Sequence, residues 1–97
     1  MILKILLLYY AGSDYWVTAN GLCAYVEKGI EPNKKETQTG LTKDECFKQC
    51  EKDPSLSGCS HGGKTFCHKY TGKITGGSGL EKWTCHYRSE TGRKFQI

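Results

Sequence analysis

A chain of 97 residues, 37% of them hydrophobic, has room for one small domain with a thin apolar core. Fourteen Lys and Arg against ten Asp and Glu leave a formal charge of +4, which favours salt-sensitive association with acidic surfaces such as sulfated or sialylated glycans and anionic headgroups. Aromatic residues are not interleaved with basic ones in the manner of nucleic-acid binders, so nucleic acid is not an expected partner.

The chain opens with Lys4 ahead of a short apolar run, Ile5 to Ala11, and Val17-Thr18-Ala19 offers the small or branched residues that a signal peptidase reads. Residues 1–19 are therefore expected to be a secretory signal cut before Asn20, with one domain over residues 20–97. The apolar run is too short to span a bilayer of about 30 Å, and no later stretch is better, so no transmembrane segment is expected. Asn20-Gly21 reads as a turn and Leu22 to Val26 as a strand, while Ile30 to Gly40 is polar and reads as a surface loop.

The clearest local signal spans Leu41 to Pro54. Thr42 and Glu45 form a capping box, each satisfying a backbone N–H left unpaired at a helix start. Pro54 cannot continue the ladder, so the helix runs from Lys43 to Lys52. Its charged residues keep most of the cylinder polar, and Cys46 and Cys50, four apart with Phe47 beside them, mark the buried face. A helix of this length is marginal alone, which suggests that its cysteines bolt it to another element.

Beyond the helix, His61-Gly62-Gly63-Lys64 reads as a hairpin turn and Thr65 to Thr71 as the best strand in the chain. Ile74-Thr75 is a short strand candidate, Gly76-Gly77-Ser78-Gly79 a flexible loop, Leu80 to Arg88 a further strand, and Phe95 to Ile97 a last strand or a tail. The sum is an α+β fold, one short helix on a small antiparallel sheet.

Six cysteines, at 23, 46, 50, 59, 67 and 85, fit a three-disulfide framework in an oxidising compartment, and sequence alone permits 15 pairings. Cys46 and Cys50 lie side by side on the helix and are better bonded outward than to each other. Cys50 can reach Cys59 just past the helix end, Cys46 can reach Cys67 in what is expected to be the central strand, and Cys23 and Cys85 remain.

Gly21-Leu22-Cys23, the capped Cys46-x-x-x-Cys50 helix, Gly58-Cys59, Phe66-Cys67-x-x-Tyr70, the Gly-rich loop and Trp83-x-Cys85-x-Tyr87 together resemble the PAN/apple superfamily over about residues 21–88. The resemblance implies a helix packed on a curved antiparallel sheet, with the pairs Cys23–Cys85, Cys46–Cys67 and Cys50–Cys59. It also implies a secreted, non-enzymatic adhesion module that binds carbohydrate or protein ligands without a cofactor.

Zinc is the rival use of the thiols, since Cys59-x-His61, Cys67-His68 and Cys85-His86 set imidazoles beside them. Adjacent strand residues point to opposite faces and no Cys-x-x-Cys pair is present, so disulfides are the stronger expectation and no metal site is assigned. Gly77-Ser78-Gly79 is not a nucleophile elbow, and with the thiols consumed no catalytic residue stands out. A small cationic toxin or inhibitor is the alternative to adhesion.

Strand alternation supplies a candidate site. If both Cys67 and Cys85 face the helix, Trp83 and Tyr87 join the core, and His68, Tyr70, Lys82, His86 and Arg88 share the outward face. That set combines cations with an aromatic plate suited to anionic sugars. Its two histidines lead to the expectation that binding strengthens as pH falls through the imidazole range.

Overall fold

The computed structural model describes residues 15–89, and the apolar run after Lys4 and the segment Phe95 to Ile97 lie outside the described residues. The elements in chain order are β1 (Tyr15–Asn20), β2 (Cys23–Ala24), a single 3-10 turn (Val26–Lys28), β3 (Lys34–Gln38), α1 (Lys43–Lys52), β4 (Gly58–Gly62), β5 (Phe66–Tyr70), β6 (Gly76–Gly77) and β7 (Trp83–Ser89). Strands β1, β7, β4, β5 and β3 form, in that order, an antiparallel five-stranded sheet, and β2 pairs with β6 in a separate two-stranded ribbon. The α+β architecture read from the sequence is present, with three disulfides.

The helix has the expected bounds because its capping box forms: Glu45 N–H donates to Thr42 Oγ1 at 3.1 Å, and Thr42 N–H donates to Glu45 Oε1 at 2.9 Å. Cys46 and Cys50 are fully buried and bond to Cys67 and Cys59. Leu41 and Leu56, one on each side of α1, complete the cluster beneath it, with Trp16 and Phe47 packed at its margin. A second cluster, Cys23, Tyr70, Ile74 and Cys85, fills the other face of the sheet, where the β2–β6 ribbon lies.

Four departures from the sequence reading share a cause, which is pairing that overrides local propensity. Gly58-Cys-Ser-His-Gly62 holds no β-branched residue and no Phe, Tyr or Trp, yet it is the central strand, buried along its whole length, and the turn begins two residues later than expected, at Gly63. Strand β5, with Cys67, is therefore one place off centre. Lys34–Gln38, read as loop, is an edge strand whose charges and bulge between Lys34 and Glu36 suit an exposed edge. Gly76-Gly77, read as flexible, pairs with Cys23-Ala24, and the Asn20 carbonyl approaches Gly77 so closely that a Cβ there would strike it.

The fourth departure concerns the domain boundary. Tyr15–Asn20 pairs with β7 from Tyr15↔Ser89 to Asn20↔Thr84, so the sheet starts five residues upstream of the boundary expected at Asn20. Trp16 lies against the ring of His86, with centroids 4.7 Å apart. A chain beginning at Asn20 would lack this strand and half of that stack.

The disulfides close loops of 9, 21 and 62 residues. Chain-entropy estimates then give about 2.6, 3.3 and 4.3 kcal/mol for Cys50–Cys59, Cys46–Cys67 and Cys23–Cys85. Replacing both members of one pair by Ala should lower urea-unfolding stability in that order, with the Cys23–Cys85 double variant the most destabilised. Non-reducing peptide mapping should recover these three links and no 46–50 link.

Candidate functional site

The register through β4 decides which side chains share a face. Cys59 bonds to Cys50 of the helix, and its partners across the sheet are Lys69 and His86; the next residue, Ser60, points the other way with His68 and Cys85. Cys67 and Cys85 therefore face opposite sides. The expectation that both face the helix fails because Cys85 bonds to Cys23, on the ribbon side, and nothing draws it towards α1.

The expected site is divided accordingly. His86 and Arg88 lie on the helix side, where both have structural partners. The His86 ring is held between Trp16 and Phe47, each at a centroid distance of 4.7 Å, and its Nε2 is 2.7 Å from Glu51 Oε2 of the helix. Arg88 lies over the Trp16 ring at 4.5 Å and donates to the Leu56 and Asp53 carbonyls, fastening the chain that leaves α1. Tyr70 is on the ribbon side but fully buried. Its hydroxyl takes a hydrogen bond from Ser60 Oγ at 3.1 Å and donates one to Glu31 Oε2 at 3.1 Å. Burial, the largest cause, pushes the phenol well above the ordinary tyrosine range, so it stays protonated.

His68 remains on the ribbon side, Lys82 lies in the turn that enters β7, and Trp83, expected in the core, lies against the His68 ring. Gly62 pairs with Phe66 on one side and Trp83 on the other. A Cβ at Gly62 would lie 2.4 Å from Trp83 Cδ2, so the indole lies across the glycine backbone. It stacks on His68, with ring centroids 5.0 Å apart and planes 7° from parallel. His68 in turn meets Tyr70 edge-on at 6.4 Å and is hydrogen-bonded through Nδ1 to Thr37 Oγ1 at 2.7 Å. Phe66, 42% exposed, stands beside the indole at Gly63, whose Cβ would meet both rings.

This aromatic ledge lies at the end of the sheet where two lysines adopt left-handed backbone angles, Lys64 in the β4–β5 turn (φ 83°) and Lys82 just before Trp83 (φ 67°). Such conformations cost non-glycine residues about 1–3 kcal/mol each and are concentrated where a structure has a functional use for them. Both lysines are exposed and neither has an ion-pair partner among the described residues. Trp83 was expected in the core, a consequence of the wrong parity assigned to Cys85; the usable signal was Gly62, a small residue flanked by aromatics on both neighbouring strands.

The sulfurs of Cys46, Cys59 and Cys67 lie within 4.8 Å of one another, but all three belong to disulfides and offer no thiolate to an ion. No helix among the described residues is long and apolar enough to cross a membrane. No family model matches the chain, and no curated protein or solved structure matches it either.

Desolvation first, and the nearby Lys34 second, lower the His68 pKa. The neutral ring is thus favoured in the folded state, whereas the unfolded chain takes up its proton near pH 6.5. Between the unfolded and folded pKa values the unfolded state binds more protons, so stability should fall as pH drops below about 6.5. Urea titrations at pH 7.5 and 5.5 should show that loss, and His68→Gln should reduce it.

Proposed function

We propose that the chain is a secreted, non-enzymatic recognition module of the PAN/apple kind, and that the ledge of Phe66, His68 and Trp83, flanked by Lys64 and Lys82, binds acidic carbohydrate. The observation that carries this reading is the pairing of a flat, partly exposed indole with two lysines in strained conformations, without an ion pair among the described residues, at one end of the sheet. Sugar rings offer apolar C–H faces that pack on aromatic plates, and sulfate or carboxylate substituents offer oxygens to ammonium groups. Three disulfides fit an oxidising, extracellular setting, and the nested pairing agrees with what the PAN/apple resemblance implies.

The same geometry revises the pH expectation. His86 is on the helix side beside Glu51 and does not belong to this surface, and His68 stays neutral until below the usual imidazole range. Charge at the ledge therefore rests with Lys64 and Lys82 rather than with a histidine. Binding to immobilised heparin or sialoglycan should change little between pH 7.5 and 6.5 but weaken steeply with added salt.

Trp83→Ala should weaken that binding tenfold or more, about 1.4 kcal/mol, as expected for a central aromatic contact. Lys64→Gln with Lys82→Gln should lower both affinity and salt sensitivity, while Lys48→Gln on the exposed helix surface should leave binding unchanged. Gly62→Ala, which must displace the indole, should mimic Trp83→Ala with the lysines intact. Wild-type affinity in both the Trp83 and the double-lysine variants would refute the assignment.

A further inference from the structure

Among the described residues, five large hydrophobic side chains are exposed: Tyr15, Val26, Ile30, Phe66 and Leu80. Phe66 belongs to the ledge. Val26 and Ile30, each 51% exposed, border a cavity of about 340 Å³ between the β2–β6 ribbon and the turn that follows β2. Leu22, Ala24, Val26 and Ile30 make its walls aliphatic, and the backbones of Gly29 and Gly77 complete it with Cys23, Glu31 and Ser78.

Its polar side chains are two, Ser78 and Glu31, and only Glu31 carries a charge. Ser78 Oγ accepts from Leu22 N–H at 3.0 Å and Leu80 N–H at 3.3 Å, which uses its lone pairs and leaves a single uncharged O–H donor. Glu31 supplies a carboxylate: Oε2 takes the Tyr70 hydroxyl at 3.1 Å and Oε1 faces Lys34 Nζ at 3.8 Å. A carboxylate has about four acceptor positions, so capacity remains on both oxygens. Glu31 lines the cavity, and its carboxylate is held in place by the hydroxyl of Tyr70, itself fully buried and tied to Ser60.

We propose that this cavity is a binding site for a primary alkylammonium group, such as a lysine side chain of a partner protein. Four aliphatic walls take the methylene stem, and Glu31 takes the ammonium through a charge-assisted hydrogen bond. An anionic head is disfavoured by the same carboxylate, and a plain alcohol forgoes the charge. The proposal is independent of the ledge, since none of the cavity-lining residues belongs to the ledge.

The test is a two-dimensional NMR titration of the oxidised full chain at pH 7 with n-propylamine, n-pentylamine, n-pentanol and pentanoate. n-Pentylamine should shift amide signals confined to residues 22–31 and 77–78 and bind at least tenfold more tightly than n-pentanol or pentanoate. Affinity should rise about fourfold per methylene from propylamine to pentylamine, the effect of burying each CH₂. Glu31→Gln, which keeps an acceptor for Tyr70, should reduce n-pentylamine to the level of n-pentanol, and Ala24→Phe, which fills the cavity, should abolish both. Equal binding of amine and alcohol, an unchanged Glu31→Gln variant, or shifts centred elsewhere would overturn the site. If Ala24→Phe does not fold, Glu31→Gln and the ligand series still decide the matter.

Discussion

The structure depends on one strand being small on both sides. Gly58-Cys59-Ser60-His61-Gly62 is hydrogen-bonded to β5 and β7 and buried from end to end, so whatever packs on either face of the sheet packs on it. On the helix side Cys59 takes the bridge from Cys50, and His61 donates through Nε2 to the Leu41 carbonyl at 2.6 Å, fixing the segment that leads into α1. On the ribbon side Ser60 Oγ accepts from Cys23 N–H at 2.7 Å and donates to Tyr70, satisfying polar groups that burial would otherwise leave unpaired. Gly58 and Gly62 leave room on that side for Tyr87 with Ile74 and for Trp83. A methyl group at either glycine would collide with a ring or a neighbouring backbone.

That arrangement explains which parts were legible in the sequence. The helix was, because the capping box, Pro54 and the Cys46/Cys50 spacing act within one turn of their own backbone. The Cys50–Cys59 and Cys46–Cys67 links followed from the helix, since each bond begins on its buried face. Strands β1, β3 and β4 were not legible. Their composition runs from uncharged and partly aromatic to highly charged to glycine-rich, and what they share is an antiparallel neighbour distant in sequence. Of the candidate site, His68 stays on the ribbon side beside Trp83, Lys82 falls in the turn before β7, and His86 and Arg88 belong to the helix side, misplaced by a single parity assumption at Cys85. A one-residue error of face moves every side chain of a strand.

Charge is apportioned by face as well. On the helix side, cations are consumed by structure: Lys69, only 8% exposed, donates to Gln38 and Gln49 and lies 3.7 Å from Glu36, tying β3 and α1 to β5. Arg88 holds the carbonyls after α1, and His86 is engaged by Glu51 and Thr18. These groups sit between packed layers, where removing one partner leaves the other buried and unpaired. They are poor candidates for ligand contact because their hydrogen-bonding capacity is already used within the fold.

The opposite end of the sheet has the reverse character. Lys64 and Lys82 adopt unfavourable backbone angles without an ion pair among the described residues in return, and Phe66 stays exposed although the core is thin and apolar side chains are scarce. A small domain stabilised mainly by packing could not easily tolerate both. Here the bridges restrict the unfolded chain instead, each by an amount comparable to the cost of one or two strained residues. Cross-linking thus supplies the margin that lets a thin-cored domain keep aromatic and cationic groups available at its surface.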